Sequence, residues 1–345
     1  MRILVTGTEG YLGALVGPVL EAAGHEVVGL DTGFYKTGWL YHPDDPASPR
    51  TLIKDVRHLT VEDLKGFEAV VHMAELSNDP TGELNPDITY EINHKGSVQL
   101  AESARKSGVS RFVYMSSCSV YGVGSDEDVT EDSPVNPQTA YAICKTLVER
   151  DVGGLAADGF SPTFMRNATA FGASPRMRFD IVLNNLCGLA RTTGEIRMIS
   201  DGTPWRPLVH GLDIAKAIRC GLEAPIDSVQ NEIFNVGSSE QNYRVREIAE
   251  IVARVFPGCR LTLGGQPSDN RSYRVSFDKI HRQLPGFSCE WNAEAGARQL
   301  RRIFEHIGID SNLFEFPAFT RLKQLEHLLR TRQIDESFYW TSPNP

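Results

Sequence analysis

The chain opens with a strand, a glycine-rich loop and a helix in immediate succession, and this order constrains its fold more than any other feature. Ile3, Leu4 and Val5 form a short apolar run, long enough for a buried strand and too short for a helix. Gly7, Gly10 and Gly13 follow at three-residue spacing, and an amphipathic stretch over residues 14–20 begins where they end. Glycine permits a sharp strand-to-helix turn and lets backbone N–H groups approach a ligand closely. The helix N-terminus then presents unpaired donors and a partial positive charge, which suits a pyrophosphate. Residues 26–30 read as the next strand and end in Asp31, where a carboxylate can hydrogen-bond an adenosine ribose. A glycine turn that binds nothing is the alternative; strand, loop, helix and acid in order weigh against it.

The remaining first half alternates strand-like and helical runs. Residues 51–54 lead into Asp55-Val56, residues 69–74 form a fourth strand, and residues 111–116 a fifth after a helix over 93–106. A helix over 141–157 precedes a sixth strand at 161–166. Such alternation predicts an α/β fold, a Rossmann-type doubly wound parallel sheet with ligands at the carboxyl ends of its strands. After Gly172 the regularity lapses. Helices are expected over 179–189, 213–222 and 243–256, with short strands at 196–199, 207–210, 232–236 and 260–263. The 345 residues exceed what one core usually serves. Residues 1–172 are therefore assigned to a dinucleotide-binding domain, to which 207–238 return. Residues 173–206 and 239–345 make a smaller, discontinuous mixed α/β substrate domain with a C-terminal helical extension. Its basic amphipathic helix at 319–332 is expected to pack on its own domain, membrane or partner binding being the other reading.

A net charge of −9 argues against a nucleic-acid binder. No apolar run reaches membrane-spanning length, and Met1 leads straight into a strand. The six cysteines lack any C-x-x-C pair, so neither a metal site nor a disulfide framework is indicated and a reduced, cytoplasmic setting is expected.

A second constellation lies at Ser116-Ser117-Cys118-Ser119-Val120-Tyr121-Gly122, then Tyr141-Ala-Ile-Cys-Lys145. Tyr141 and Lys145, four apart on a helix, share one face. A tyrosine ordinarily ionises near pH ~10, and a nearby ammonium favours its anion. Ser117 ends a neighbouring strand and can donate to a substrate oxygen while Tyr141 exchanges a hydroxyl proton. On its own a Tyr-x-x-x-Lys pair is equally a solvated helix face; the dinucleotide loop and the strand-end serine favour chemistry.

With these motifs in view, the chain resembles an extended short-chain dehydrogenase/reductase of the NAD-dependent epimerase/dehydratase family, which acts on nucleotide-linked sugars. The likeness runs from Met1 to about Trp291 and is carried by Thr6–Gly13, Asp31, Asp55-Val56, His72-Met-Ala74, Asn93, Ser117 ahead of Tyr121-Gly122, and Tyr141/Lys145. It implies NAD as cofactor, with Gly7, Gly10, Tyr11 and Leu12 on the pyrophosphate and Asp31 on the adenine ribose. Asp55, Val56, Ala74 and Asn93 would complete the cofactor site, and Tyr141 and Lys145 would hold the nicotinamide ribose. Asp31 also favours NAD over NADP, since its charge repels a 2′-phosphate.

The later half resembles the family in its substrate motifs, which implies a nucleotide-diphosphate sugar held by Asn185 of Asn184-Asn185-Leu186, Arg206 of Gly202–Arg206, and Arg271 of Asp269-Asn-Arg271-Ser-Tyr273. Two positions depart from the family pattern: Pro207 follows Arg206 where an acid is usual, and Glu75 follows Ala74 where a small residue is common. Dehydratases of the family place an Asp-Glu pair directly after the hydroxyl residue; here those positions are Cys118 and Ser119. The expected reaction is a 4-epimerisation through a transient ketone. The alternatives are net 4-ketosugar reduction, cysteine-assisted dehydration, or a catalytically silent NAD-sensing module. The likeness further implies a homodimer pairing helices 141–157 and 93–106 through Leu100, Leu147, Val148 and Leu155.

Overall fold

A computed structural model describes residues 1–42, 49–123, 128–265 and 272–342. Apolar residues at successive positions of the first strands point to opposite faces of one sheet. Ile3 and Val5 enter one core cluster, Leu4 another. Val113 and Met115 divide from Phe112 and Tyr114 in the same way. This period of two buries both faces, which a parallel sheet covered by crossover helices requires.

The strands are β1 (Arg2–Thr6), β2 (Glu26–Asp31), β3 (Arg50–Ile53), β4 (Ala69–His72), β5 (Arg111–Ser117) and β6 (Ser161–Asn167). They are followed by β7 (Thr169–Phe171), β8 (Glu195–Arg197), β9 (Trp205–His210), β10 (Glu232–Val236), β11 (Asn242–Arg244) and β12 (Arg260–Thr262). Seven form one sheet in the order β10-β6-β5-β4-β1-β2-β3, and every pairing in it is parallel. The chain thus winds outward from β1 in both directions, and β10 returns late to the edge beside β6. The remaining strands form a three-stranded sheet, β11-β9-β7, and a β12-β8 pair. Around these a third cluster gathers Phe179, Leu183, Leu208, Ile248, Val252, Leu300 and Phe304.

Several sequence boundaries move for local reasons. β4 stops at His72 because the Thr6 hydroxyl captures the N–H groups of Met73 and Ala74, both at 3.1 Å. The helix expected over 141–157 is Ala140–Gly153, ending at the Gly153-Gly154 pair. The one placed at 179–189 begins only at Val182, because Phe179 and Ile181 enter the third cluster while Asp180 turns the other way to bind other segments. The helix expected at 93–106 starts as a wide π-helical turn, Tyr90–Gly96, before settling into Ser97–Ser107. Tyr243, placed in a helix by periodicity, lies in β11.

The last helix, Arg321–Arg330, packs on the first half of the chain. Leu325, Leu328, Ile334 and Phe338 join the same cluster as Leu4, Leu30 and Phe34. Trp340 donates to the Thr32 carbonyl at 2.7 Å, and Gln324 to that of Phe34 at 2.9 Å. Leu100 and Val148, expected at a dimer seam, are both buried within the protomer, while Gln99, Glu102, Arg105 and Lys106 face outward. No helix among the described residues is long and apolar enough to cross a membrane.

A buried ion pair ties the carboxyl ends of β5 and β6 to the helix Ala140–Gly153. Arg166 donates to Glu149 through Nε at 3.0 Å and Nη2 at 2.7 Å, and Ser116 donates to the same carboxylate at 2.5 Å. Both charged groups are under a tenth exposed. Removing one partner strands the other in a low dielectric, so Glu149→Ala is expected to cost about 3–5 kcal/mol of unfolding free energy in urea titration. Glu149→Gln, which keeps a hydrogen-bond acceptor, should cost less.

Candidate active site

The carboxyl edge of the large sheet opens into a cleft of about 670 Å³. At one end lies the glycine loop. Gly7 has φ of +85°, which side-chain-bearing residues rarely adopt, and a Cβ on it would lie 3.0 Å from the Ala74 nitrogen. A Cβ on Gly13 would lie 2.2 Å from the Gly7 carbonyl oxygen, so the loop and the helix start close together only as glycine. Gly7, Gly10, Tyr11, Leu12, Asp31, Asp55, Val56 and Ala74 all line the cleft. The Asp31 carboxylate accepts from the N–H groups of Gly33 at 2.7 Å and Glu9 at 3.0 Å. Burial raises its pKa and those two N–H groups pull it back. Asp55 is held by Arg57 at 2.6 Å. A loop with no room for a Cβ at Gly7 or Gly13, a helix start and a buried acid on the adjacent strand fit an adenine dinucleotide.

Asn93 stands behind this wall. Its amide accepts from the Leu76 N–H at 2.8 Å and donates to the Leu76 carbonyl at 3.0 Å, so it braces the loop after β4 while Ile92 lines the cleft. His72 is likewise a satisfied core residue, with Thr6 and Ser97 hydroxyls each 2.7 Å from a ring nitrogen and burial pushing its pKa down to about 3.

At the other end, Ser117, Tyr141 and Lys145 converge as expected. All three line this end of the cleft, Ser117 favours the Tyr141 phenolate, and the Lys145 ammonium lies 5.3 Å from the Tyr141 ring centroid. Lys145 donates to the Met115 carbonyl at 2.5 Å. The sequence flagged Glu75 as a departure, and the structure gives it a place: its carboxylate is 2.5 Å from the Lys145 ammonium and accepts from the Tyr114 hydroxyl at 2.6 Å. Burial works against the Lys145 charge, but Glu75 and then Tyr141 outweigh it and hold that pKa above its ordinary value. Burial also raises Tyr141; Lys145 pulls it down and Glu75 pushes it back up. The lysine's assistance to the phenolate is therefore partly cancelled by a carboxylate.

Further polar side chains line the cleft. Ser119 and Asn167 line it, and the Ser119 hydroxyl and the Asn167 carbonyl oxygen are buried without a partner among the described residues. Arg206 lines the wall beside Tyr273, its guanidinium 6.0 Å from that ring. Asn185 does not reach the cleft: its amide donates to the Phe179 carbonyl at 2.8 Å, and Ile181 and Val182 line that stretch. Arg271 lies outside the described residues. Cys118 also turns away. It is 1% exposed, donates to the Arg166 carbonyl at 3.2 Å, and burial drives its thiol pKa well up. Arg178, Asp180 and Arg321 line the cleft as well; periodicity gave no signal for them, because they sit on irregular segments or at a helix start.

The chain matches the NAD dependent epimerase/dehydratase family over residues 3–237. It is 31% identical over 270 residues to a UDP-glucose 4-epimerase of Corynebacterium glutamicum, covering 74% of this chain and 80% of that protein. It belongs to this family. Among solved structures, the NAD dependent NDP-hexosamine 5,6-dehydratase TunA superposes with a TM-score of 0.77 at 25% identity, over 88% of this chain and 98% of that one. MoeE5, solved with UDP-glucose and NAD, superposes with a TM-score of 0.75 at 25% identity, over 89% and 99%. The sheet and its crossover helices are thus those of an epimerase/dehydratase enzyme, and the named relatives include more than one reaction type.

Because Glu75 opposes Lys145 at Tyr141, replacing it by glutamine leaves the ammonium's field on the phenol uncompensated. The phenolate then forms at lower pH, and the acid limb of any turnover that uses Tyr141 as base shifts downward in Glu75→Gln. An unmoved limb in a pH–rate profile would show that Glu75 serves packing alone.

Proposed function

We propose that this epimerase/dehydratase binds NAD and inverts C4 of a nucleotide-diphosphate sugar. The observation that carries this reading is the pairing of a complete Ser117-Tyr141-Lys145 group with Cys118 and Ser119, in place of an Asp-Glu pair, directly after Ser117. Cys118 faces the core, and Ser119, which faces the cleft, cannot serve as a base near neutrality without an activating partner. NAD bound along the cleft supplies the hydride acceptor and donor. The protein's residues manage the proton and the pose. Tyr141 takes the proton of the sugar hydroxyl, Ser117 donates to the same oxygen as it becomes a carbonyl, and Lys145 supports the phenolate. The partnerless Ser119 and Asn167 oxygens suit sugar hydroxyls, which would satisfy them. Arg206 suits a phosphate oxygen through its forked donors.

Epimerisation needs the ketone re-reduced from the opposite face, so NAD is regenerated in each cycle and no external reductant is consumed. A net 4-ketosugar reduction would use the same residues but consume added NADH, and that is the second reading. Incubation with UDP-, GDP-, CDP- and dTDP-hexoses, followed by NMR, is expected to give a C4 epimer with no NADH consumed and no 4-keto-6-deoxy product. Accumulation of that product would identify a dehydratase; stoichiometric NADH loss would identify the reductase.

Replacing Tyr141 by Phe removes the acid–base group and spares the glycine loop. Turnover is expected to fall by about 10²–10⁴-fold, with NAD affinity, read by NADH fluorescence, little changed. Retained turnover in this variant would overturn the assignment of Tyr141, whereas a wild type that binds NADH but turns over none of these sugars would favour the silent dinucleotide-sensing alternative.

A further inference from the structure

Two arginines share the middle of the cleft with a single carboxylate. Arg178 is engaged on all sides: its guanidinium bonds Asp180 at 2.8 and 3.2 Å, the Ser77 hydroxyl at 3.3 Å and the Ser77 carbonyl at 3.2 Å. Asp180 also accepts from Asn78 at 2.8 Å and from the backbone N–H of Arg321 at 3.1 Å. Its capacity is therefore spent, and on the main chain of Arg321, not its side chain. The Arg321 guanidinium stacks on the Tyr35 ring at 3.9 Å and donates to the Ala318 carbonyl at a long 3.4 Å. It has no carboxylate partner among the described residues, although Arg321 is only 3% exposed. A buried, unpaired guanidinium is costly unless an anion arrives to compensate it.

The position of this pair along the cleft indicates which anion. Tyr35, on which Arg321 stacks, lies four residues beyond Asp31, and Arg176 bonds both the Tyr35 carbonyl, at 3.3 Å, and the carboxylate of Glu9 in the glycine loop. Ser77 lies three residues beyond Ala74, and the neighbouring Asp79 accepts from Thr139, two residues before Tyr141, at 2.6 Å. The segment carrying Arg178 is also pinned to the glycine loop, since Tyr11 donates to the Gly172 carbonyl and Ser174 to the Tyr11 carbonyl, both at 2.8 Å. The guanidiniums thus lie between the two ends of the cleft, where a dinucleotide spanning from Asp31 to Tyr141 carries its phosphates.

We infer that Arg321, backed by Arg178, forms a second anion cradle facing the glycine loop and holding the pyrophosphate of the bound dinucleotide. The glycine loop contributes neutral N–H donors and a helix end. The cradle adds a full positive charge, and it comes from a C-terminal segment beyond the residues 3–237 that match the family. Trp340 and Gln324 fasten that segment to the loop after β2, so the chain's last helix becomes part of the cofactor site.

The inference rests on the reading that the cleft holds NAD, and the test separates the two. The full-length protein is titrated with NADH, ADP-ribose and adenosine, for the wild type, Arg321→Gln and Arg321→Lys, each checked by thermal melting. Arg321→Gln is expected to weaken NADH and ADP-ribose about ten-fold or more, as for loss of a charge-assisted contact, with adenosine unchanged. Arg321→Lys keeps the charge without the fork and should fall between. The wild-type preference for ADP-ribose over adenosine should shrink as salt is raised. Equal weakening of adenosine would overturn the inference, making Arg321 a support for Tyr35 alone. Unchanged ADP-ribose binding would overturn it as well, as would a loss confined to UDP-glucuronate, tested as an anionic-sugar probe. A wild type that binds no NADH at all would instead overturn the cofactor reading itself.

Discussion

Parallel pairing is the constraint from which the remainder follows. Two parallel strands cannot be joined by a hairpin, so each must be reached by a crossover that carries the chain back to the same starting edge. Seven strands in one parallel sheet therefore end along one edge. Residues far apart in sequence, among them Gly7, Asp31, Ala74, Ser117 and Asn167, become neighbours there without any contact having been arranged between them. The glycine loop can be tight because a strand feeds it, and the half-buried Ser117 can open onto the cleft because its strand stops. Thr6 joins these effects: its hydroxyl ends β4 by capturing two N–H groups, which turns Ala74 and Glu75 into the cleft.

Having gathered polar groups at one buried edge, the protein must compensate their charges. Arg166 is matched by Glu149, Lys145 by Glu75, and Arg178 by Asp180, each pair with N–O distances of 2.5–2.8 Å. These pairs differ in what they leave available. Arg166 and Glu149 satisfy each other and Ser116 beneath the site, which fixes the strand ends. Glu75 binds the lysine that would otherwise act on Tyr141 alone, so the phenol is tuned by a balance of opposite charges. Such a balance is adjustable by a single residue, whereas an unopposed lysine is not.

Much of the fold and one end of the site could be read directly from the residues. Gly7, Asp31 and Ser117 lie at strand ends, where alternating apolar runs give way to small or acidic residues, and Tyr141 and Lys145 are spaced by one helical turn. Period and punctuation are local signals, and they survive in a linear reading. Asn93 and Asn185 were legible as members of motifs, but side-chain direction is not a property of spacing: one braces Leu76 and the other bonds Phe179. Arg178, Asp180 and Arg321 gave no signal as site residues, because Asp180 reaches Arg321 across 141 positions and a helix pattern does not show that its first residue meets a distant loop. The periodicity of 319–332 predicts a helix, but the expectation that it packs on its own substrate domain fails, because nothing in a helix's own pattern names the surface it covers. Phe34 and Leu30 supply that surface from the far end of the chain.

The placement of this last helix separates two tasks within one cleft. Ser117, Tyr141 and Lys145 stand on β5 and a helix packed under it, both tied down by Glu149 and Met115. Arg321 stands on a segment anchored mainly by a few apolar side chains and by Trp340 and Gln324. Reacting groups have to hold their geometry within a fraction of an ångström, and a core of interlocked strands provides that. A charge that grips a pyrophosphate tolerates looser placement, because Coulomb attraction falls off gently with distance. If Arg321 holds the pyrophosphate as proposed, a change in how the C-terminal segment packs alters how tightly the dinucleotide is kept and leaves Ser117, Tyr141 and Lys145 in place.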